Sequence, residues 1–205
     1  MLKLLGRKTS GNVQKVVWLL EELGAQYERE DYGRQFGNTE TPDYLRLNPN
    51  AKVPTLVDGD VVIWESNTIL RYLANKAGGR FYADDAAGRC VIERWMDWQL
   101  SLLVPAMAPL FRGWARTPPA ERDVAALEKH RQAAVPHWTV LDQQLAGRQW
   151  VGGGEFTIGD IPPGVWIHRW YLMPIERPDL PHLRAWYERL LARPAYRKHV
   201  ALPLG

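Results

Sequence analysis

Lys52 to Leu73 reads KVPTLVDGDVVIWESNTILRYL, which places a proline bend, two short β-rich runs and a helix start within very few residues. Thr55 to Val57 and Val61 to Trp64 are strand-like. Asp58-Gly59-Asp60 between them predicts a hairpin with a three-residue loop in which Gly59 takes a positive φ. Pro54 cannot donate a ladder bond, so it belongs at the strand's entry, and a cis peptide after Val53 would make the bend. Ser66 is placed to cap a helix that carries Ile69, Leu70 and Leu73 on one face. Bends and caps of this kind turn polar backbone outward, so the stretch is expected to form half of a binding site. The other half is expected from TSGNVQKV, Thr9 to Val16, which likewise bridges a strand and a helix.

Upstream, Leu2 to Leu5 is a short apolar run ended by Gly6 and reads as a buried strand. Val13, Val16, Val17, Leu20 and Leu23 recur at helical spacing, with Ser10 or Asn12 to cap the start and Gly24 to end it. Tyr27 to Tyr32 predicts a second strand and a polar loop runs on through Thr41. A short helix over 42–47 then precedes the turn cluster Asn48-Pro49-Asn50. Two connection types imply a small mixed sheet with helices packed on it. GGRFYADDAAG, Gly78 to Gly88, breaks the pattern, so one domain is expected over 1–78, a linker over 79–87 and a second domain over 88–205.

Everything downstream reads helical. A long amphipathic stretch from Arg89 to Arg116 contains Pro105 and Pro109, either of which should kink it. A second helix is expected from Pro118 to Leu145, and Gly152-Gly153-Gly154 is a loop with no P-loop lysine after it. Thr157-Ile158-Gly159-Asp160 resembles a capping box, with Asp where Glu is usual, opening a helix through Trp166 and Trp170. Leu180 to Leu191 and a short piece from Pro194 follow.

A chain of 205 residues can bury a core without covalent staples. The single cysteine, Cys90, cannot form an internal disulfide and is expected to be a buried small hydrophobe; the histidines show no ligand spacing, so no metal site is expected. No apolar run approaches the ~18 residues of a membrane span, and the start lacks a signal peptide's apolar region. A cytoplasmic protein with no membrane partner is the expectation. The formal net charge of +3 is scattered without a basic block, which argues against nucleic acid. Ten tryptophans serve either a core or pockets for aromatic ligands.

Taken together, TSGNVQKV, NPNAKVPTL, WESNTILRYL, the capped FTIGDI helix and the closing RPAYRKH resemble the cytosolic glutathione transferases over nearly the whole chain. They look most like the bacterial theta- and beta-like members of the serine type. The resemblance implies a thioredoxin-like α/β N-terminal domain (βαβ-ββα) that holds glutathione as co-substrate. It also implies an all-α C-terminal domain that supplies a pocket for a small hydrophobic electrophile, in a homodimer. Glu65 suits the ammonium of the γ-glutamyl end, while Ser66 and the helix N-terminus suit its carboxylate. Val53 would exchange backbone hydrogen bonds with the cysteinyl unit, Pro54 turning the backbone outward. Lys52 would then meet the glycine carboxylate; Thr39, Glu40 and Ala51 stand where the family often has further basic or polar groups.

Catalysis requires a thiolate. A free thiol with a pKa of ~8.5 is only about 3 per cent ionised at pH ~7, and lowering it by about two units takes roughly 2.7 kcal/mol. One charge-assisted hydrogen bond at ~1.5 to 3 kcal/mol and a helix N-terminus at ~0.3 to 1 kcal/mol supply that. The resemblance places Ser10 where serine-type members hold their catalytic hydroxyl, with Asn12 as the second choice and Thr9 beside them; a purely capping role stays open for Ser10. The electrophile would lie against Met107, Phe111 and Trp114, with Trp166, Arg169 and Trp170, although an aromatic stripe at helical spacing suits a core equally. Conjugation leads. Glutathione-dependent peroxide or disulfide reduction, and a non-catalytic carrier of hydrophobic ligands, are the alternatives.

Overall fold

The computed structural model describes residues 1–203. Its first half runs β1 (Leu2–Leu5), α1 (Gly11–Leu23), β2 (Tyr27–Glu30), α2 (Pro42–Leu47), β3 (Thr55–Asp58), β4 (Val61–Trp64) and α3 (Ser66–Lys76). The sheet order is β2-β1-β3-β4, with β1 parallel to β2 and the β1–β3 and β3–β4 pairs antiparallel. This is a thioredoxin-like domain with a four-stranded mixed sheet. An all-helical domain follows: α4 (Ala86–Trp98), α5 (Val104–Ala115), α6 (Val124–Leu145), α7 (Ile161–Leu172), α8 (Pro181–Ala192) and α9 (Pro194–His199).

Local chemistry moved several expected boundaries. Asp58 pairs directly with Val61, so the hairpin loop is two residues, Gly59-Asp60, with Gly59 at φ 60°. Ser66 is the first helical residue rather than the cap; Glu65 holds the cap position at φ 68° and its side chain makes no capping bond. The long helix does not simply kink at a proline. Between α4 and α5 the chain takes a π-helical turn over Gln99–Leu103, just ahead of Pro105, whose missing N–H leaves the preceding turn free to widen. Helix α6 starts at Val124 and not at Pro118, because the Asp123 carboxylate caps the Ala126 N–H at 2.9 Å. Cys90 is exposed, against expectation. No helix among the described residues is long and apolar enough to cross a membrane.

Helix α1 is the centre of the packing. Every residue from Val13 to Leu20 is buried, Gln14 and Lys15 included. Trp18 sits edge-on to Tyr196 at 4.8 Å and near Phe156 at 5.4 Å, and a Cβ on Gly164 would lie 2.9 Å from its ring. Its indole N–H donates to Glu22 at 2.9 Å, and the Glu22 carboxylate takes Arg193 in a two-point contact at 2.7 and 2.8 Å. These contacts fix α1 to α7 and α9. Trp138, Trp170 and Trp186 are also fully buried, so most of the indole area serves packing.

Of the expected capping box at 157–160 only one half is made. Helix α7 starts at Ile161 with Asp160 as its N-cap, the Asp160 carboxylate accepts from the Thr157 N–H, and the Thr157 hydroxyl accepts from the Gly159 N–H at 3.3 Å and not from that of Asp160. One Asp160 oxygen accepts from the Val151 N–H at 3.0 Å and the Trp186 indole at 2.9 Å; the other accepts from the Thr157 N–H at 3.0 Å and its hydroxyl at 3.3 Å. Burial pushes the Asp160 carboxyl up to about 6 against these four donors. Asp160→Ala strands two buried N–H groups, those of Val151 and the Trp186 indole, at ~1–3 kcal/mol each, and the part-buried Thr157 N–H besides. The expected loss is about 3 kcal/mol or more, read from urea unfolding midpoints with the slope unchanged.

Candidate active site

A cleft of about 530 Å³ lies between the sheet domain and the helical domain, and the turns before α1 and α3 both open onto it. Thr9, Ser10, Asn12, Lys52, Val53, Pro54, Glu65 and Ser66 all line it, as do Phe111, Trp166 and Arg169. Residues from opposite ends of the sequence are thus brought together as expected. Met107 and Trp170 are not: both are fully buried, Trp170 against Trp138 at 5.9 Å. Trp114 belongs to a separate hollow, with Arg122 over its ring at 4.8 Å. Helical spacing selects a face but not depth along the helix, which is why Met107, one turn before Phe111, falls inside the core.

The Val53 bend is built from below. Tyr44 donates to the Lys52 carbonyl at 2.5 Å and Asn48 donates to the same oxygen at 2.9 Å. Thr55 shares both partners: its hydroxyl lies 3.0 Å from the Tyr44 oxygen and accepts from the Asn48 amide at 3.2 Å. With its only proton on Lys52, Tyr44 must accept from Thr55, and the network closes without a loose donor. The Val53–Pro54 peptide is cis. Val53 itself lies outside β3, and its N–H and carbonyl take no backbone partner among the described residues, leaving an edge for an extended peptide.

At the next turn, Glu65 is exposed at φ 68°, a conformation that costs a non-glycine residue about 1–3 kcal/mol. Glu65 lines the cleft, and because its side chain makes no capping bond the first N–H groups of α3 are left unpaired. Beneath lies Lys15, 1% exposed, with its ammonium donating to Ser66 Oγ at 3.4 Å, Asn67 Oδ1 at 3.2 Å and Gln99 Oε1 at 3.1 Å. Burial, with the nearby Arg169 charge, pulls Lys15 down to about 7, while Glu65 acts in the opposite sense. Asn67 also donates to the Met96 carbonyl at 3.0 Å. A carboxylate at the start of α3 would meet backbone donors above and a buried cation below. Sequence reading missed Lys15, although a polar Gln14-Lys15 pair inside an apolar helical run was visible.

At the α1 turn, Ser10 is extended (φ −79°, ψ 122°) and only 8% exposed, and its hydroxyl makes no capping bond. Its carbonyl accepts from Gln14 at 2.8 Å and its N–H donates to Arg7 at 3.1 Å, so the backbone is held while the hydroxyl stays unspent. Thr9 and Asn12 are exposed beside it. Arg169 crosses behind this turn, stacked 4.5 Å from Phe111 and 4.9 Å from Trp166, with Gln14 accepting from it at 3.3 Å. A Cβ on Gly11 would come within 2.5 Å of that guanidinium, so glycine is what admits it. Burial, and Arg116 secondarily, lowers Arg169 to about 10. The turn therefore offers a free hydroxyl, a helix N-terminus and a cation to any developing anion.

The model of the glutathione S-transferase N-terminal domain matches residues 1–75, and that of the C-terminal domain matches residues 124–189. Glutathione S-transferase GstB of Escherichia coli strain K12 is 41% identical over 208 residues, covering 100% of both chains. The theta class glutathione S-transferase from the citrus canker pathogen Xanthomonas axonopodis pv. citri, solved with glutathione bound, aligns with a TM-score of 0.95 at 45% identity over 100% of this chain and 99% of that one. Disulfide-bond oxidoreductase YfcG of Escherichia coli strain K12 is 29% identical over 193 residues, 90% of this chain and 87% of that protein.

Lys15 gives the site a pH signature. Its folded pKa of about 7 lies below its ordinary 10.5, so between these values the unfolded chain holds a proton that the folded one has lost. Stability from this group is at its lowest below about pH 7 and rises with pH above it, by up to about 1.4 kcal/mol per unit. Urea unfolding of the wild type between about pH 7 and 9 is expected to show this positive slope, and Lys15→Met is expected to flatten it.

Proposed function

This chain belongs to the glutathione S-transferase family and is an enzyme of that kind, and we propose that it joins the thiolate of glutathione, its co-substrate, to small hydrophobic electrophiles. The observation that carries this reading is the convergence on one cleft of an unpartnered Val53 backbone edge, the Glu65–Ser66 turn and the unspent Ser10 hydroxyl. In this reading residues 1–78 hold glutathione and residues 88–205 supply the opposite wall. Glu65 pairs with the γ-glutamyl ammonium, Ser66 and the first turn of α3 take its carboxylate over Lys15, and Val53 pairs with the cysteinyl backbone. Pro54 turns that backbone out, and Lys52 takes the glycine carboxylate.

Ser10 donates to the sulfur, holding it as thiolate with the N-terminus of α1; Asn12 and then Thr9 are the supporting donors. The thiolate attacks the electrophilic carbon. A C–S bond forms and the leaving group departs with its electron pair, or an activated alkene takes up a proton from water. Phe111, Trp166 and Arg169 face the incoming molecule. A homodimer is part of the reading: β4 is an edge strand with Val61, Val62 and Trp64 about two-fifths exposed, and Leu100 on the π-helical turn is 52% exposed. A cytoplasmic setting suits the lone, unpaired Cys90.

A second reading, glutathione-dependent disulfide or peroxide reduction, is favoured by the exposed Asn12 beside Ser10 and by the name of YfcG. A panel of an aryl halide, an epoxide, an isothiocyanate, a hydroperoxide and a glutathione-capped disulfide separates the two. Ser10→Ala is expected to lower kcat/KM by about 10- to 100-fold, one charge-assisted bond, with glutathione Kd changed less than about threefold. An equal fall in both would make Ser10 a binding residue and overturn its assignment.

A further inference from the structure

Five arginines line the cleft: Arg7, Arg34, Arg112, Arg116 and Arg169. Outside the cleft some arginines take backbone carbonyls, as Arg177 and Arg197 do, and others take carboxylates, as Arg29 does with Asp31, Arg71 with Glu93 and Asp97, Arg131 with Glu128 and Arg193 with Glu22. None of the five takes a carboxylate among the described residues. Arg169 bonds only Gln14, Arg112 bonds a carbonyl of its own helix, and Arg7 Nε is buried with no partner at all. They also crowd one another: beyond the effect of burial, Arg34 and Arg116 lower Arg7, and Arg34 and Arg112 lower Arg116.

Charge counting shows what this arrangement lacks. With Lys52 the cleft carries six cations against the carboxylates of Glu40 and Glu65, an excess of four. Glutathione as thiolate, with two carboxylates and one ammonium, neutralises two of these and leaves two. Arg112 and Arg116 are on and just after α5, Arg116 over the Phe111 ring at 5.9 Å, while Arg34 is on the loop after β2 and Arg7 lies beside Gly33 near Val53. Phe111 and Trp166 meet nearly at right angles (87°) and offer flat apolar surface beside these charges.

We propose that the electrophile is an anion: a flat apolar molecule bearing a carboxylate or sulfonate, its ring on Phe111 and Trp166 and its charge held by Arg116 with Arg7 and Arg34. This rests on the transferase reading and narrows its hydrophobic electrophile. With an aryl halide of this class, the thiolate forms a C–S bond at the ring carbon, the carbon–halogen bond breaks and halide leaves with the bonding pair. The thiol proton goes to water.

The test compares a chlorodinitrobenzoate with its methyl ester, each enzymatic rate divided by the uncatalysed rate with glutathione, at low and high salt. Acceleration of the acid is expected to exceed that of the ester by about tenfold or more, to shrink with salt, and to fall by about tenfold in Arg116→Gln. Equal or greater acceleration of the ester overturns the inference and leaves the transferase reading standing; turnover of neither overturns both. Binding of para-carboxybenzyl and benzyl conjugates of glutathione to the wild type needs no variant, and the acid conjugate is expected to bind about tenfold more tightly. If Arg116→Gln weakens free glutathione as much as the acid conjugate, the arginines serve glutathione's own carboxylates and the inference fails.

Discussion

Helix α1 is enclosed along eight consecutive residues, Val13 to Leu20, and Lys15 is one of them. A buried ammonium without partners is costly enough that it deprotonates or finds acceptors, so the surrounding elements must bring oxygen atoms to it. They come from two domains: Ser66 and Asn67 from α3, and Gln99 from the π-helical turn that joins α4 to α5. Asn67 then reaches the Met96 carbonyl of α4. One polar cluster therefore locks the start of α3 to the helical domain. The same cluster sits directly under the turn that faces the cleft, so stability and ligand recognition share an electrostatic origin.

The cleft repeats this pairing of a rigid support with an unsatisfied group. Tyr44, Asn48 and Thr55 saturate one another and the Lys52 carbonyl, leaving the next backbone unit, Val53, open. Trp18, Glu22 and Arg193 anchor α1, leaving the Ser10 hydroxyl at its start unspent. Glu65 is held at φ 68° by a well-packed helix that follows it, at a local cost that an ordinary turn would avoid. The functional surface consists of groups whose neighbours are satisfied and which are themselves not.

Much of this was legible in the sequence. Strand and helix order followed from period and turn residues, and the two stretches Thr9–Val16 and Lys52–Leu73 do meet at one cleft. What escaped reading has physical causes. A capping serine and a first-turn serine differ by one residue of register, which Ser66 shows. Met107 and Trp170 carry the same pattern as pocket residues, but depth along a helix depends on how helices cross. Lys15 looked like an ordinary polar position because its acceptors are 51 to 84 residues away. The arginine cluster draws on four separate segments, so no local pattern announces it. Cys90 faces outward although its residue type is usually buried.

The central claim is that the turn before α1, with Ser10 as donor, holds the sulfur of glutathione as a thiolate. The ultraviolet difference spectrum of glutathione bound at neutral pH reads that species directly. A thiolate band on binding to the wild-type protein, lost in Ser10→Ala while glutathione still binds, is the predicted result. Saturable glutathione binding with no thiolate band in the wild type would contradict it.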